Sequence, residues 1–257
     1  MLIPLFAMVL AATPVSTPAV RDDERKPEEV VLAGDAHQKY LLHAPGKAKD
    51  PPGGWRVLLV MPGGDGSAEF APFVGRIREN ALGKEWLVAQ IVAPVWDRKQ
   101  ADTNVWPTKL NPWPKMKFPC EELVGSVLDD LGQKRKLDPR HVVTLAWSSS
   151  GTLAYTLGVS KDTRVTGTFV AMSVFKPEIL PQLELAKGRS FYVLHSPQDF
   201  IPIAMAEKAR DELKKNGAQV ELATYEGGHG WHGDVYGEIR KGVAWLEERA
   251  PKAGAKK

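Results

Sequence analysis

Cysteine is almost absent. Cys120 stands alone, so the chain has no intrachain disulfide and no cysteine-rich metal site. Charge of one sign is not in excess either. The formal net charge is +3, part of it in the tail PKAGAKK, and no Lys/Arg stripe interleaves with aromatics, so no nucleic-acid partner is expected. No HExxH, EF-hand loop or Cys/His cluster occurs, which removes the reason to expect a metal, and no GK[ST] or GxGxxG completes a nucleotide-binding loop. Beyond the first residues, no apolar run is long enough to span a bilayer.

The first residues, MLIPLFAMVLAATPVSTPAV, make an apolar run that is also too short to span and ends in small residues. It is expected to be a secretory signal over residues 1–19, cut between Ala11 and Ala19, which makes the protein secreted or periplasmic with no stable membrane insertion once the leader is removed. No Lys or Arg precedes the apolar run, so a membrane-tethered start stands beside that reading. Residues 20–29, charged and proline-bearing, read as a linker, 30–250 as one domain, and 251–257 as a basic tail.

With 43% hydrophobic content, residues 30–250 can bury one large core. Apolar strand-like runs alternate with helical patterns along it. RVLLVM (56–61), WLVAQIVAP (86–94), HVVTLAW, VTGTFVAMSV, SFYVLHS and VELATY are the strands, preceded by two more around the Gly-Asp turn of EVVLAGDAHQKYLLHAP. EFAPFVGRIREN, 120–137, SSGTLAYTLG, PEILPQLELA, PIAMAEKARDELKKNG and GDVYGEIRKGVAWLEERA are the helices between and after them. Such alternation predicts an α/β fold, a mostly parallel sheet covered on both faces, whose chemistry gathers at the carboxyl ends of the strands.

At one of those ends, LAWSSSGTLAYTLG (145–158) carries three serines where strand gives way to helix, without the common Gly-x-Ser-x-Gly spelling. A serine held at so tight a turn needs small side chains two positions before and after it. Ser149 has Trp147 behind it and Ser150 has Thr152 ahead, whereas Ser148 lies between Ala146 and Ser150. Ser148 is therefore the candidate nucleophile.

MPGGDGSAEF (61–70) follows the strand RVLLVM, and its glycines can turn backbone N–H groups into a cavity where an oxyanion would form. Gly64 is the first candidate donor and Asp65 the second, with the N–H of Ser149 as the other half of the hole. HSPQDFIP (195–202) offers Asp199 to orient a histidine, and YEGGHGWHG (225–233) offers that histidine. His229 is preferred over His232, which lies near the start of the last helix, where the dipole disfavours the imidazolium that catalysis requires. His37, His43, His141 and His195 read as structural.

The order Ser148, Asp199, His229 on alternating elements is that of the α/β hydrolases. LVMPGGDGS, DPRHVVTLAWSSSG and LHSPQDFIPIAMAEKARDELKKNGAQVELATYEGGHGW most resemble secreted bacterial phospholipase/carboxylesterase-type and polyhydroxybutyrate-depolymerase-like serine esterases. The resemblance covers nearly everything after about residue 28. It implies a single-domain α/β-hydrolase fold with an eight-stranded, mostly parallel sheet and a cofactor-free triad that hydrolyses carboxylic esters, small or polymeric. Ala146, Ser150 and Pro62 depart from the usual elbow glycines and oxyanion-loop histidine. Thioesterases, peptidases and acyltransferases share the constellation, and a non-catalytic binding module is the rival from another class. Finally, residues 95–119 are too long and proline-rich for a plain connector. Trp96, Trp106 and Trp113 there either wall a substrate pocket or pin the loop to the sheet.

Overall fold

The computed structural model describes residues 26–45 and 49–252. The expected leader, most of the linker and the end of the tail lie outside the described residues.

β1 (Glu28–Val31) and β2 (Lys39–His43) form the antiparallel margin of the sheet, followed by β3 (Trp55–Met61), β4 (Trp86–Ile91), β5 (Leu137–Trp147), β6 (Gly167–Ala171), β7 (Ser190–His195) and β8 (Gln219–Thr224). One eight-stranded sheet results, in the order β1-β2-β4-β3-β5-β6-β7-β8. β1 to β2 and β2 to β4 pair antiparallel, and every other pairing is parallel.

β3 shows why this is a two-faced sheet. Val57, Leu59 and Met61 join one hydrophobic cluster while Leu58 and Val60, pointing the other way, join the second. The first cluster packs under α3 (Cys120–Lys134), α4 (Gly151–Gly158) and α5 (Ile203–Lys215); the second packs under α1 (Ala71–Ala81) and α6 (Val235–Glu247). Cys120, buried, is the first residue of α3. Among the described residues no helix is long and apolar enough to cross a membrane.

Two local expectations need correction. β1 begins two residues inside the charged stretch assigned to the linker, because an edge strand can leave Glu28 and Glu29 in water while only Val30 faces the core. PEILPQLELA is not a helix but two 3-10 turns, Pro177–Ile179 and Leu183–Ala186. Pro181 has no N–H to give and pushes Leu180 into an extended conformation (φ −104°, ψ 159°). The stretch after β4 contains one further helix, α2 (Arg98–Thr103), started by Asp97 accepting from the Gln100 N–H at 3.0 Å.

Candidate active site

β3, β5, β6, β7 and β8 run parallel, so Met61, Trp147, Ala171, His195 and Thr224 end at one rim. The loops beyond these residues carry the site.

At the end of β5, Trp147 is extended (φ −143°), Gly151 is already helical (φ −61°), and Ser148 between them has φ +56°. Left-handed backbone at a non-glycine residue is strained, and here it lifts the Ser148 side chain out of the strand direction. The turn closes only because its neighbours are small. Ala146 and Ser150 are fully buried, and a Cβ at position 151 would sit 2.1 Å from the Ser173 Oγ.

The other serines of the run have different partners. The Ser150 Oγ accepts from the Trp147 N–H at 3.0 Å and donates to the Met61 carbonyl at 2.5 Å, joining the ends of β5 and β3. The Ser149 Oγ donates to the Gly64 carbonyl at 2.9 Å, joining the serine turn to the glycine turn. Ser148 faces His229: its Oγ lies 2.9 Å from Nε2. On the other side of the ring, Nδ1 lies 3.0 and 2.9 Å from the two carboxylate oxygens of Asp199. With Nδ1–H donating to that carboxylate, the neutral imidazole presents Nε2 as an acceptor for the Ser148 O–H.

The Asp199 side chain is fully buried and that of His229 is 23% exposed, so the carboxylate oxygens are shielded while the imidazole reaches solvent. Asp199 is locked by its own turn: its N–H donates to the Ser196 carbonyl at 3.2 Å, and Oδ1 accepts from the Ile201 N–H at 2.8 Å. Buried His195 supports the turn, its Nε2 lying 2.9 Å from the Ile201 carbonyl. The loop bearing His229 is laced to the same turn. The Gln198 Oε1 accepts from the Gly227 N–H at 2.7 Å, and the Ser196 hydroxyl donates to the Gly227 carbonyl. Tyr225, whose hydroxyl donates to the Gly228 carbonyl at 3.2 Å, has its phenol pKa pushed up to about 12 by burial and then by the Asp199 charge.

His232 lies apart from this contact, stacked on Tyr225 (6.2 Å between centroids) two residues before Asp234, which caps α6. Its ring fills the space beside Gly227, where a Cβ would come within 2.6 Å of it. His37, His43 and His141 lie elsewhere too, and burial pushes the His43 pKa down to about 4.

Gly64, with φ +58°, follows β3 beside the serine turn. Ser149 stands in the first turn of a helix start, where backbone N–H groups have no intrahelical acceptor. The Asp65 carboxylate accepts from the Ser67 N–H at 3.0 Å, shaping the loop. The glycine turn fits against the serine turn because a side chain at Gly63 would strike the Trp147 indole at 2.6 Å.

The three tryptophans have the contacts of loop pins. Trp106 is buried, and a Cβ at Gly66 would meet its ring at 2.7 Å. Trp96 stacks on His37 (4.5 Å) and meets Phe118 edge-on (4.9 Å), while the Trp113 Nε1–H donates to Asp97 at 3.0 Å. The aromatic side chains at the site are Phe200, 4.4 Å from the His229 ring, and a cluster in which Trp147 meets Phe70, Phe73 and Trp231 at 5.6, 5.8 and 5.7 Å. Trp231 and Phe200 both lie in loops already suspected from sequence, but nothing in local spacing tells which ring turns inward.

No protein-family model matches the chain. Over 147 residues, 56% of this chain and 40% of the other, it is 31% identical to a protein named "Putative esterase NocK" from Nocardia uniformis subsp. tsuyamanensis. The matched segment thus spans well under half of that protein. Solved structures match far more of the chain. An α/β hydrolase, MGS-M1, from a Medee basin deep-sea metagenome library superposes with TM-score 0.64 at 15% identity, covering 87% of this chain and 97% of that one. Esterase 2 of Thermogutta terrifontis, phosphorylated by paraoxon, gives 0.63 at 17% identity (90% and 98%), and the Bacillus cereus carboxylesterase 0.57 at 17% (82% and 93%). With its eight-stranded sheet and these neighbours, the chain has the α/β-hydrolase fold.

Proposed function

We propose that this protein is a serine hydrolase that cleaves carboxylic esters through an acyl-enzyme. The observation that carries the reading is the 2.9 Å approach of His229 Nε2 to the Ser148 hydroxyl, with Asp199 closed on the far side of the ring. The esterase names of the solved neighbours and of the Nocardia protein support the same reaction class.

In this reading the Ser148 Oγ attacks the ester carbonyl carbon while Nε2 takes its proton. Asp199 keeps Nδ1 protonated and offsets the positive charge that develops on the ring. The N–H groups of Ser149 and Gly64, with Asp65 as the second choice for the latter, receive the oxyanion. The tetrahedral intermediate collapses as the imidazolium returns the proton to the departing alkoxide. Water, deprotonated by the same Nε2, then attacks the acyl carbon and frees Ser148. Strain at Ser148 serves this chemistry by holding the nucleophile pointed at the base before substrate arrives. Export belongs to the same proposal and rests on the leader-like start alone; the N-terminal residue of protein recovered outside the cells tests it.

The reaction is tested with a fluorophosphonate probe followed by peptide mass spectrometry. The adduct is expected on Ser148, with Ser148→Ala unlabelled and inactive on p-nitrophenyl acetate. An adduct on Ser149 or Ser150 overturns the assignment of the nucleophile, and an unlabelled, inactive wild-type protein overturns the enzyme.

A further inference from the structure

Phe200 is 76% exposed, more than any other large apolar side chain among the described residues. A single exposed apolar residue is ordinary. This one is set apart by its place: it follows Asp199 directly, and its ring centroid lies 4.4 Å from that of His229 at an interplanar angle of 41°. Its backbone is also fixed. The Asp199 carboxylate spans Phe200 to reach the Ile201 N–H, and His195 holds the Ile201 carbonyl, so the ring stands on a braced turn.

The position has a chemical meaning if His229 is the base, and the inference rests on that reading. During acylation Nε2 first takes the Ser148 proton and then returns it to the alcohol oxygen as the ester C–O bond breaks. That oxygen must come within hydrogen-bond reach of Nε2, so the first carbons of the leaving alcohol lie beside the imidazole. Phe200 covers the imidazole and leaves most of its own surface in water. An alcohol carrying a flat apolar ring can remove that surface from water by stacking on it, whereas a small polar alcohol cannot. We propose that Phe200 is the leaving-group determinant of the site and that it favours esters of aryl or arylmethyl alcohols.

Benzyl acetate and 2-methoxyethyl acetate test this, because their alcohols are of similar acidity and both esters give the same acetyl-enzyme. The constant kcat/KM reports acylation, the step in which the alcohol leaves, while deacylation is common to both. Phe200→Ala is expected to lower kcat/KM for benzyl acetate about tenfold, the gain typical of one aromatic contact, and to leave the methoxyethyl ester within about twofold. Phe200→Tyr is expected to keep the benzyl preference. An equal loss on both esters would mean that the ring merely steadies His229, and no loss on either would mean that it touches no substrate; each overturns the proposal. If the wild-type protein hydrolyses neither ester, or Ser148→Ala hydrolyses both as well as wild type, the esterase reading itself has failed.

Discussion

The hydroxyl of Ser173, just past the end of β6, donates a 2.6 Å hydrogen bond to the backbone carbonyl of Ser148. Two adjacent parallel strands are thereby joined at the residue whose φ is +56°. The same Ser173 side chain fills the space in front of Gly151, where an added Cβ would meet its Oγ at 2.1 Å and its Cβ at 2.4 Å. Gly151→Ala should therefore lower the melting temperature, although alanine in a helical turn usually stabilises. Gly151→Ala combined with Ser173→Gly should recover much of that stability, and the thermal midpoints of the two singles and the double measure the coupling. Additive midpoints would count against the clash.

Asp199→Asn should leave the fold intact and impair turnover. An asparagine amide aimed at Nδ1 favours the tautomer that places the proton on Nε2, where it can no longer accept from the Ser148 hydroxyl. The expected fall in kcat is on the order of 10³- to 10⁴-fold, with KM little changed, as steady-state kinetics on p-nitrophenyl acetate will show. A loss confined to KM would place Asp199 in substrate binding instead.

The neighbouring serines should separate cleanly by what they hold. Ser150→Ala removes a buried hydroxyl that accepts from the Trp147 N–H and donates to the Met61 carbonyl, so a loss of about 1–3 kcal/mol in urea unfolding is expected. Ser149→Ala removes only an exposed hydroxyl that steadies the Gly64 carbonyl, and keeps the backbone N–H. It should leave stability within about 0.5 kcal/mol and reduce kcat modestly. Equal stability of the two variants would contradict the burial of Ser150.

These serines also show what local sequence can and cannot carry. The strands are legible because both faces of a central strand are buried, so runs such as VLLVM (57–61) are apolar throughout. That Ser148 faces His229 while Ser149 turns to Gly64 agrees with the size of the side chains two residues away. PEILPQLELA reads as a helix because Ile179, Leu180 and Leu183 fall at helical spacing, but Pro181 breaks the hydrogen-bond ladder between them. The roles of Trp96, Trp106 and Trp113 were not legible, since whether an indole faces a cleft or a neighbour such as His37 depends on residues far away in the chain. Exposure of Phe200 is of the same kind. Sequence gives the residue next to Asp199 but not the ring's position over His229.

Acid should destabilise the fold through a residue remote in sequence from the reacting groups. His43, at the end of β2, is 6% exposed, and burial lowers its pKa to about 4 from 6.5. Above pH 6.5 the imidazole is neutral in both the folded and unfolded chains and the stability is fully present. As pH falls below 6.5 the unfolded chain takes up the proton first, which favours unfolding until the folded chain also protonates near pH 4. The whole shift corresponds to about 3 kcal/mol, at 1.36 kcal/mol per unit. Other groups titrate in the same region: burial raises Glu121 and Glu247, which opposes the loss, and the Arg140 and His141 contacts depress Asp138, which adds to it at lower pH. The contribution of His43 is therefore read as a difference. Urea unfolding of wild type and His43→Gln at pH 7.5, 5.5 and 4.5 should show the gap between them shifting steadily in favour of the glutamine protein as pH falls. A gap independent of pH would mean that His43 is protonated in the folded chain as readily as in the unfolded one.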